Sequence, residues 1–497
     1  MKVTESNSAM TDSDISDLKK KSARGGMMTM LAQAVTIAVQ LISTVVLARF
    51  LSPEDYGVMA MVMAVTAFAG LFREMGLSSA AIQKKDLTRG QQSNLFWLNV
   101  AMGSLLTLMV ALGSPLVAWF YKKPELTIVT LALSANFIIG SLATQHGAML
   151  VRNMQFGRQS IATVSGAVVS LIVAVVLALQ GKGYWSLVWG TLAGGMITTL
   201  STLWLSPFRP GRPSRGQGIR EMLGFGANVT AFNFVNYFAR NLDNLLIGRV
   251  WGASALGNYS RAYQLLMFPI TAIRGPITSV AFPAMSRLQD EPQAYRAYYR
   301  RIIMVLANLT MPISAFLFVA SAPVILLVLG EKWEGVIPIF SMLAITAFIQ
   351  TPYSLTGMIQ LSLGRGGKYF RMGVVGAVLS SLGFCIGVLW GPKGVAMAYA
   401  ITTYLGLIPI LLWAFHGTTI KLRDFFGSIF SPCVASILSG VVASIVLANV
   451  LELSLFLQVV VTGFAFCLVY MLVLLMLPRG RDDLRWFFNL ALASIRK

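Results

Sequence analysis

Charged and amide side chains recur within an otherwise apolar stretch, residues 228–249, and their types could bind a polar ligand. A helix turns about 100° per residue, so these side chains share one face while phenylalanines and leucines lie outside it. The polar face comprises Asn233, Asn236, Tyr237, Arg240, Asp243 and Asn244. A charge at mid-membrane costs about 2.5–3.5 kcal/mol, so such residues usually face a protein interior or a water-filled path. We predict a cavity wall here; the alternative is an Arg240–Asp243 pair that neutralises itself and joins two helices.

Two further arginines, Arg73 and Arg274, lie within apolar segments. A guanidinium is always charged and offers a forked pair of donors, which suits phosphate oxygens. Gly275 and Pro276 follow Arg274 and predict a helix break, whose freed backbone groups must face protein or water. The intramembrane charges are cationic on balance and predict a site for an anionic group. The alternatives are a snorkelling Arg274 at a kink and an Arg73 at the cytoplasmic interface.

The elements that carry these residues are membrane-length helices. The chain has 497 residues, of which 56% are hydrophobic and 12% charged, whereas charged residues make up about 25% of soluble domains. About fourteen apolar runs are long enough to span a bilayer. The sequence therefore predicts an all-α polytopic membrane protein.

The formal net charge of +20 follows the predicted topology and does not indicate nucleic-acid binding. Most Lys and Arg residues fall in the tails and the even-numbered connections between spans, the pattern of cytoplasmic segments. The first apolar run is too long for a signal-peptide core and acts as its own insertion signal. We therefore predict that both termini are cytoplasmic.

An internal repeat relates the two halves of the chain. A shift of 200 residues places Arg249 on Arg49 and Gly257 on Gly57. The same shift places five residues of the polar face on polar positions of the first helix: Asn233, Asn236, Arg240, Asp243 and Asn244 fall on Gln33, Thr36, Gln40, Ser43 and Thr44. A shift of 201 places Arg274 on Arg73. Because each repeat holds six spans, an even number, the repeats are predicted to be parallel and to meet at a central cavity. Gln40 is predicted to face Arg240 across it.

The predicted organisation has six parts, bounded by changes in composition. They are a cytoplasmic tail (1–24), an N-lobe of spans 1–6 (25–206), a cytoplasmic linker rich in Pro, Gly and Arg (207–221), a C-lobe of spans 7–12 (222–420), spans 13–14 (421–477) and a cytoplasmic amphipathic tail (478–497).

Several chemistries lack their residues in this sequence. There is no G-x-x-x-x-G-K-[ST] string to hold ATP phosphates. Only two histidines occur, distant from each other and from cysteines, so no metal site is predicted. The outer loops are too short for the acidic loop of a membrane glycosyltransferase. We predict neither an enzyme nor a bound cofactor, and coupling to an ion gradient stays open.

Several segments together resemble one transporter family. They are LDNLLIGRVWGASALGNYSRAYQLLMFP, ITSVAFPAMSRLQD and LGEKWEGVIPIFSML in the second half, and ARFLSPEDYG and AIQKKDLT in the first. The sequence is similar to the polysaccharide transporter family of the multidrug/oligosaccharidyl-lipid/polysaccharide (MOP) flippase superfamily, close to the Wzx-type colanic-acid exporters. This resemblance implies fourteen helices in two lobes and a cationic central cavity. The family's cavity arginines carry over to Arg240 and Arg274, and to Arg49 and Arg249.

The resemblance implies a flippase that moves undecaprenyl-diphosphate-linked oligosaccharide across a bacterial inner membrane, for exopolysaccharide or O-antigen synthesis. Membrane lipid is a further partner, and the polymerase and glycosyltransferases of the pathway are implied. The predicted substrate-binding cavity comprises Arg240, Arg274, Asp243, Asn236, Asn233, Gln40, Arg49, Arg249 and Arg73. Two alternatives are a multidrug/cation antiporter of the same fold, which would favour acidic cavity residues, and a non-transporting membrane scaffold, which needs no charged interior.

Overall fold

The computed structural model describes residues 12–74, 81, 87–214 and 220–495. Side chains are described except at 12–24, 74, 220–236, 238–240, 488 and 490–495. The α-helices are α1 Asp12–Phe50, α2 Pro53–Glu74, α3 Arg89–Leu112, α4 Ser114–Tyr121, α5 Glu125–Arg152, α6 Phe156–Leu179, α7 Trp185–Leu205, α8 Arg220–Arg287, α9 Pro292–Val319, α10 Ser321–Val328, α11 Ile337–Tyr353, α12 Leu355–Ser362, α13 Gly366–Gly387, α14 Gly391–Phe415, α15 Leu422–Asn449, α16 Leu455–Met476 and α17 Pro478–Ile495. Short 3-10 turns cover Glu331–Val336 and Val388–Trp390.

The described helices are those of a multi-pass membrane protein. Within the described ranges, 11 stretches are long and apolar enough to cross a membrane. One of them, Gly366–Phe415, contains both α13 and α14. The predicted all-α membrane fold is confirmed, whereas the number of fourteen spans and the repeat layout stay predictions.

Helix α8 is interrupted at a different residue from the one predicted. It continues through Gly275 and Pro276, so the break predicted there is wrong. A proline removes a single backbone hydrogen bond, and in the same turn the Thr278 hydroxyl donates to the Arg274 carbonyl at 3.0 Å. The break lies at Gly252, with φ 83° and ψ −174°, a conformation that only glycine adopts without strain.

The chain divides into two compact units, and each contains one long and one short segment. The first unit is Met1–Leu51 with Val62–Phe234, and the second is Ser52–Met61 with Val235–Lys497. Helix α2 therefore begins in the second unit and continues in the first. The predicted lobes were defined by the sequence repeat, whereas these units are defined by contacts within the structure. The lobe boundaries therefore stay a prediction.

In the first unit, small residues allow helices to pack at short distance. A Cβ atom added to Gly194 of α7 would lie 2.7 Å from the Ser170 Cβ and 2.8 Å from the Gly166 carbonyl oxygen of α6. Such close backbone approach is how membrane helices gain van der Waals contact where lipid provides no hydrophobic drive. The sequence's small-residue spacing thus sets the α6–α7 contact.

Residues 206–214 lead away from α7 and are fastened to the start of α3. The Trp97 indole N–H donates to the Gly211 carbonyl at 2.9 Å, and the Gly211 N–H donates to the Ser93 hydroxyl at 2.9 Å. Asn94 makes paired hydrogen bonds with the backbone of Ser214. This part of the predicted linker is therefore held against the first unit.

In the second unit, the start of α2 packs against α8 just after the Gly252 break. A Cβ atom at Gly57 would overlap the Ala253 carbonyl, and one at Gly257 would overlap the Pro53 carbonyl. The two contacts exchange under the 200-residue shift found in the sequence: position 57 meets 253, and 257 meets 53. We call this pair of contacts the reciprocal glycine contact.

Aromatic and cationic side chains surround that contact. The Tyr56 ring meets the buried Trp333 ring edge to face at 5.3 Å between centroids. The Arg261 guanidinium carbon lies 4.0 Å from the centroid of the Tyr56 ring. A cation over an aromatic face is stabilised by the ring quadrupole, most strongly where water is excluded. The α2 start is therefore anchored by packing and by charge.

Candidate functional site

A polar cavity of about 550 Å³ lies in the first unit, between α2, α5, α6 and α7. Arg73 reaches it from the last turn of α2. Hydroxyl and amide side chains contribute much of its lining: Asn136, Thr144, Gln159, Thr163, Thr191, Thr198, Thr199 and Thr202. Helices α2, α5 and α6 are among those long and apolar enough to cross a membrane, so the cavity places polar groups inside a helical membrane bundle.

Glycines leave room for two of the cavity's polar side chains, Arg73 and Asn136. A Cβ atom at Gly140 would lie 2.7 Å from Nη1 of Arg73, and one at Gly195 would lie 2.9 Å from Oδ1 of Asn136. Any larger residue at either position would move the side chain opposite it. The absence of side chains at Gly140 and Gly195 therefore helps to set the positions of Arg73 and Asn136.

The cavity's hydrogen-bonding groups divide into acceptors and donors. Thr144 and Thr163 donate to the carbonyls four residues earlier, each at 3.1 Å, and Thr199 of α7 donates to the Ile139 carbonyl of α5 at 3.1 Å. These hydroxyl protons are committed, while hydroxyl oxygens can still accept. The guanidinium of Arg73 supplies charged donors. Such a lining matches a ligand with hydroxyl groups and an anionic group.

In the second unit, Asp243 is buried and hydrogen-bonded, at 6% exposure. The Tyr259 hydroxyl donates to its Oδ2 at 2.8 Å, and the Asn244 N–H donates to its Oδ1 at 2.8 Å. Arg240 was the partner in the alternative interpretation of this face; that side chain lies outside the described residues, so the alternative stays untested. Tyr259 was missed. It lies beyond the Gly252 break, where a continuous helical period no longer relates residues.

The remaining predicted site residues fall into three groups. Arg249 and Arg274 of the second unit are half-buried, and Gln40 and Arg49 of the first are exposed. The side chains of Asn233 and Asn236, like that of Arg240, lie outside the described part of the chain. The structure places Arg73 in a cavity with residues that the prediction did not include. That all nine predicted residues form one site stays a prediction.

A metal ion has no evident binding group here. Among the residues that the structure describes, no three His, Cys, Asp or Glu side chains cluster closely enough to hold one.

Solved structures share this multi-pass helical fold. The fold is similar to that of the lipid II flippase MurJ in an inward closed conformation, with a TM-score of 0.73 at 15% identity, covering 90% of this chain and 98% of that one. It is also similar to an inward-facing multidrug resistance MATE family transporter of the MOP superfamily, with a TM-score of 0.57 at 15% identity, covering 78% and 97%. At these identities the likeness establishes the fold.

The family signature described as "Polysaccharide biosynthesis protein" matches residues 46–338, and the chain belongs to this family. The chain is 26% identical to lipopolysaccharide biosynthesis protein WzxC of Escherichia coli (strain K12), over 79% of this chain and 80% of that one. It is 27% identical to teichuronic acid biosynthesis protein TuaB of Bacillus subtilis (strain 168), over 86% and 89%. It is 23% identical to succinoglycan biosynthesis transport protein ExoT of Rhizobium meliloti (strain 1021), over 85% of each. The resemblance to the polysaccharide transporter family is confirmed.

Proposed function

We propose that this protein moves a polyprenyl-diphosphate-linked oligosaccharide across a bacterial inner membrane, in the direction of export. The observation that carries the proposal is the Arg73 cavity: a guanidinium among hydroxyl and amide groups, inside a membrane bundle. The relatives support it, because their names place them in polysaccharide biosynthesis and one is named a transport protein.

The physical task explains why such a cavity is needed. A headgroup with two phosphates and many hydroxyls would lose its hydrogen bonds in about 30 Å of hydrocarbon. A polar cavity replaces those bonds while the polyprenyl tail stays in lipid. Rocking of two repeats about a membrane-embedded site then exposes it to each side in turn.

The side chains of the cavity have distinct roles in this proposal. Arg73 binds a phosphate oxygen pair through its forked donors. The Asn136 and Gln159 amides bind sugar hydroxyls, and threonine oxygens accept from them. The predicted arginines of the second unit, Arg240 and Arg274, bind the same diphosphate in another state of the cycle.

The proposed setting follows from the topology prediction and the family. Both termini face the cytoplasm, the donor of substrate is a cytoplasmic glycosyltransferase system, and a polymerase takes the product on the outer side. The chain acts without catalysing a chemical change in its substrate.

A multidrug/cation antiporter is the second candidate function, and the buried Asp243 is the observation that favours it. A carboxyl held by Tyr259 inside a helical unit can exchange a proton or bind a cation. An antiporter would require Asp243 for efflux of organic cations and would tolerate loss of Arg73. The flippase requires Arg73.

The decisive experiment is transport of a defined lipid-linked oligosaccharide by the purified protein in proteoliposomes. Arg73→Gln is expected to reduce flipping at least about tenfold, the loss of one charge-assisted contact, and Arg73→Lys to restore part of it. Arg89→Gln is the matched control, because Arg89 is exposed at the start of α3 and does not line the cavity. Equal flipping by wild type and Arg73→Gln would contradict the proposed role of the cavity. Absence of flipping by wild type would contradict the function itself.

A further inference from the structure

A second charged cavity, of about 430 Å³, lies in the second unit close to where α9, α15 and α17 begin. Its lining carries charges of both signs: Ala297, Arg300, Arg301, Met304, Gly427, Ser428, Arg479, Asp482 and Asp483. Because it lies within a few turns of the starts of membrane-length helices, it opens at a membrane face. We call it the headgroup cavity.

One arginine of the headgroup cavity stands beside a carboxylate that is already paired. Asp424 accepts two hydrogen bonds from Arg296, at 2.7 and 2.8 Å. Arg300 lies 3.9 Å from the same carboxylate, too far for a hydrogen bond. Asp424 is therefore satisfied by Arg296, and most of the donors of Arg300 stay available to a ligand.

The other two arginines are positioned by contacts with uncharged groups. The Arg301 guanidinium carbon lies 5.1 Å from the Trp486 ring centroid. Nη1 of Arg479 donates to the Gly427 carbonyl at 3.3 Å. A ring face and a carbonyl orient a guanidinium without neutralising it. These contacts fix the orientation of both guanidiniums, and an anion bound to them would gain charge-assisted hydrogen bonds.

The lining also contains two carboxyl groups, Asp482 and Asp483, which are neighbours on α17. Asp482 is exposed, and Asp483 is half-buried and accepts from the Asn308 amide at 3.4 Å. In the part of the chain that the structure describes, no ion pair joins either of them to an arginine of the cavity. Burial raises the pKa of Asp483, and the charge of Asp482 raises it further, against the Asn308 hydrogen bond and Arg479. A cation beside this carboxyl pair would relieve their repulsion.

We propose that the headgroup cavity binds a zwitterionic phospholipid headgroup, a phosphodiester carrying a primary ammonium, as in phosphatidylethanolamine. The phosphodiester meets Arg300, Arg301 and Arg479, and the ammonium meets the carboxyl pair. An anion alone would leave the carboxylates facing it, and a cation alone would face three guanidiniums. Basic pockets between membrane helices are known sites for lipid headgroups, and this volume lies within the range of ligand pockets, about 300–1,000 Å³.

Helix α17 fits a lipid-facing role. It comes directly after α16, and Leu484 packs against the apolar cluster around Phe466 and Tyr470. Trp486, the aromatic ring under Arg301, is of the type enriched at the membrane interface. A bound lipid would therefore link α9 and α15 to α17 while its acyl chains stay in the bilayer. With the proposed topology, this lipid belongs to the cytoplasmic leaflet.

Native mass spectrometry of the delipidated full-length protein tests this site. Phosphatidylethanolamine, phosphatidylcholine and phosphatidylglycerol are offered at equal concentration. We expect phosphatidylethanolamine to be retained about tenfold better than phosphatidylcholine, whose quaternary ammonium cannot donate hydrogen bonds, and better than phosphatidylglycerol, which has no cation. Soluble glycerophosphoethanolamine should displace the lipid. Binding of the soluble compound by a protein that retains no phosphatidylethanolamine would overturn the lipid as its source.

Two variants separate the two charges of the headgroup. Asp482→Asn should abolish the preference for phosphatidylethanolamine over phosphatidylcholine and leave phosphatidylglycerol retention intact or higher. Arg301→Gln should weaken retention of all three. Arg423→Gln is the control, because Arg423 is exposed at the start of α15 and outside the cavity. Equal retention of the three lipids by wild type, or an unchanged preference in Asp482→Asn, would overturn the proposal.

Discussion

The hydrogen bond between Tyr259 and Asp243 offers a quantitative test of the second unit. The two side chains are 1% and 6% exposed, and the hydroxyl lies 2.8 Å from the carboxyl oxygen. A hydrogen bond to a charged group contributes about 1.5–3 kcal/mol, and an orphaned buried group costs a similar amount. We expect Tyr259→Phe to lower the free energy of unfolding by about 2 kcal/mol, because among the described residues Asp243 would then keep the Asn244 N–H alone.

The assay is denaturant-induced unfolding of the purified protein in mixed micelles, with transport measured in parallel. Tyr299→Phe is a matched control: Tyr299 is buried in the same unit, and its hydroxyl has no hydrogen-bond partner among the described residues. Its loss should leave stability unchanged or slightly higher. A double-mutant cycle with Asp243→Asn isolates the pair. A cost below about 0.5 kcal/mol for Tyr259→Phe, or equal costs for the two tyrosines, would refute the reasoning.

Three further outcomes are expected. Gly57→Ala should cost at least about 1–3 kcal/mol of stability, since its Cβ would overlap the Ala253 carbonyl. Gly26→Ala, with open space around it, should cost nothing, and equal melting temperatures for the two variants would contradict this. Arg240→Ala should abolish export at normal protein levels. Arg240→Lys should restore it only in part, because an ammonium cannot form the paired hydrogen bonds of a guanidinium. Wild-type export by the Ala variant would exclude a role of Arg240 in binding the diphosphate. Asp483→Asn should stabilise the lipid-free protein, and the gain should increase as the pH rises from about 4 to 7. Folding raises the pKa of the Asp483 carboxyl, so its ionisation above the unfolded-state pKa destabilises the folded protein. Melting curves at the two pH values test this, and a pH-independent difference would speak against it.

The fold class could be predicted because hydrophobic runs of bilayer length leave few options. Backbone groups in lipid must be satisfied within a helix, so composition and length determine the element type. The position of helix breaks could not be predicted as well. In the sequence, Gly275 and Pro276 indicate a helix break more strongly than Gly252 does, yet the helix is interrupted at Gly252. A proline costs one hydrogen bond, whereas the positive φ at Gly252 depends on how residues 253–257 pack against the start of α2.

The candidate site shows the same limit. Helical periodicity placed Asp243 on a predicted cavity wall, and the structure shows its side chain buried. Its partner Tyr259 lies 16 residues further along the chain, on the other side of the Gly252 break. Across that break, helical periodicity cannot show which residues share a face. Arg73 was predicted to line a cavity, but the residues around it were not, because its glycines and threonines resemble the ordinary packing residues of membrane helices. Only the juxtaposition of α2 with α5 reveals Arg73 beside Asn136.

The reciprocal glycine contact has a consequence for the history of the chain. Two contacts that exchange when positions are shifted by one repeat are what a two-fold homodimer makes, where residue i of one copy meets j of the other and j meets i. Gly57 with Ala253 and Gly257 with Pro53 are therefore the contacts that a dimer of half-length subunits would form with a single glycine. A mutation in such an ancestor would change both contacts at once. If the predicted repeat arose by duplication and fusion, each glycine can now be replaced separately, and Gly57→Ala and Gly257→Ala measure how far the two halves have diverged.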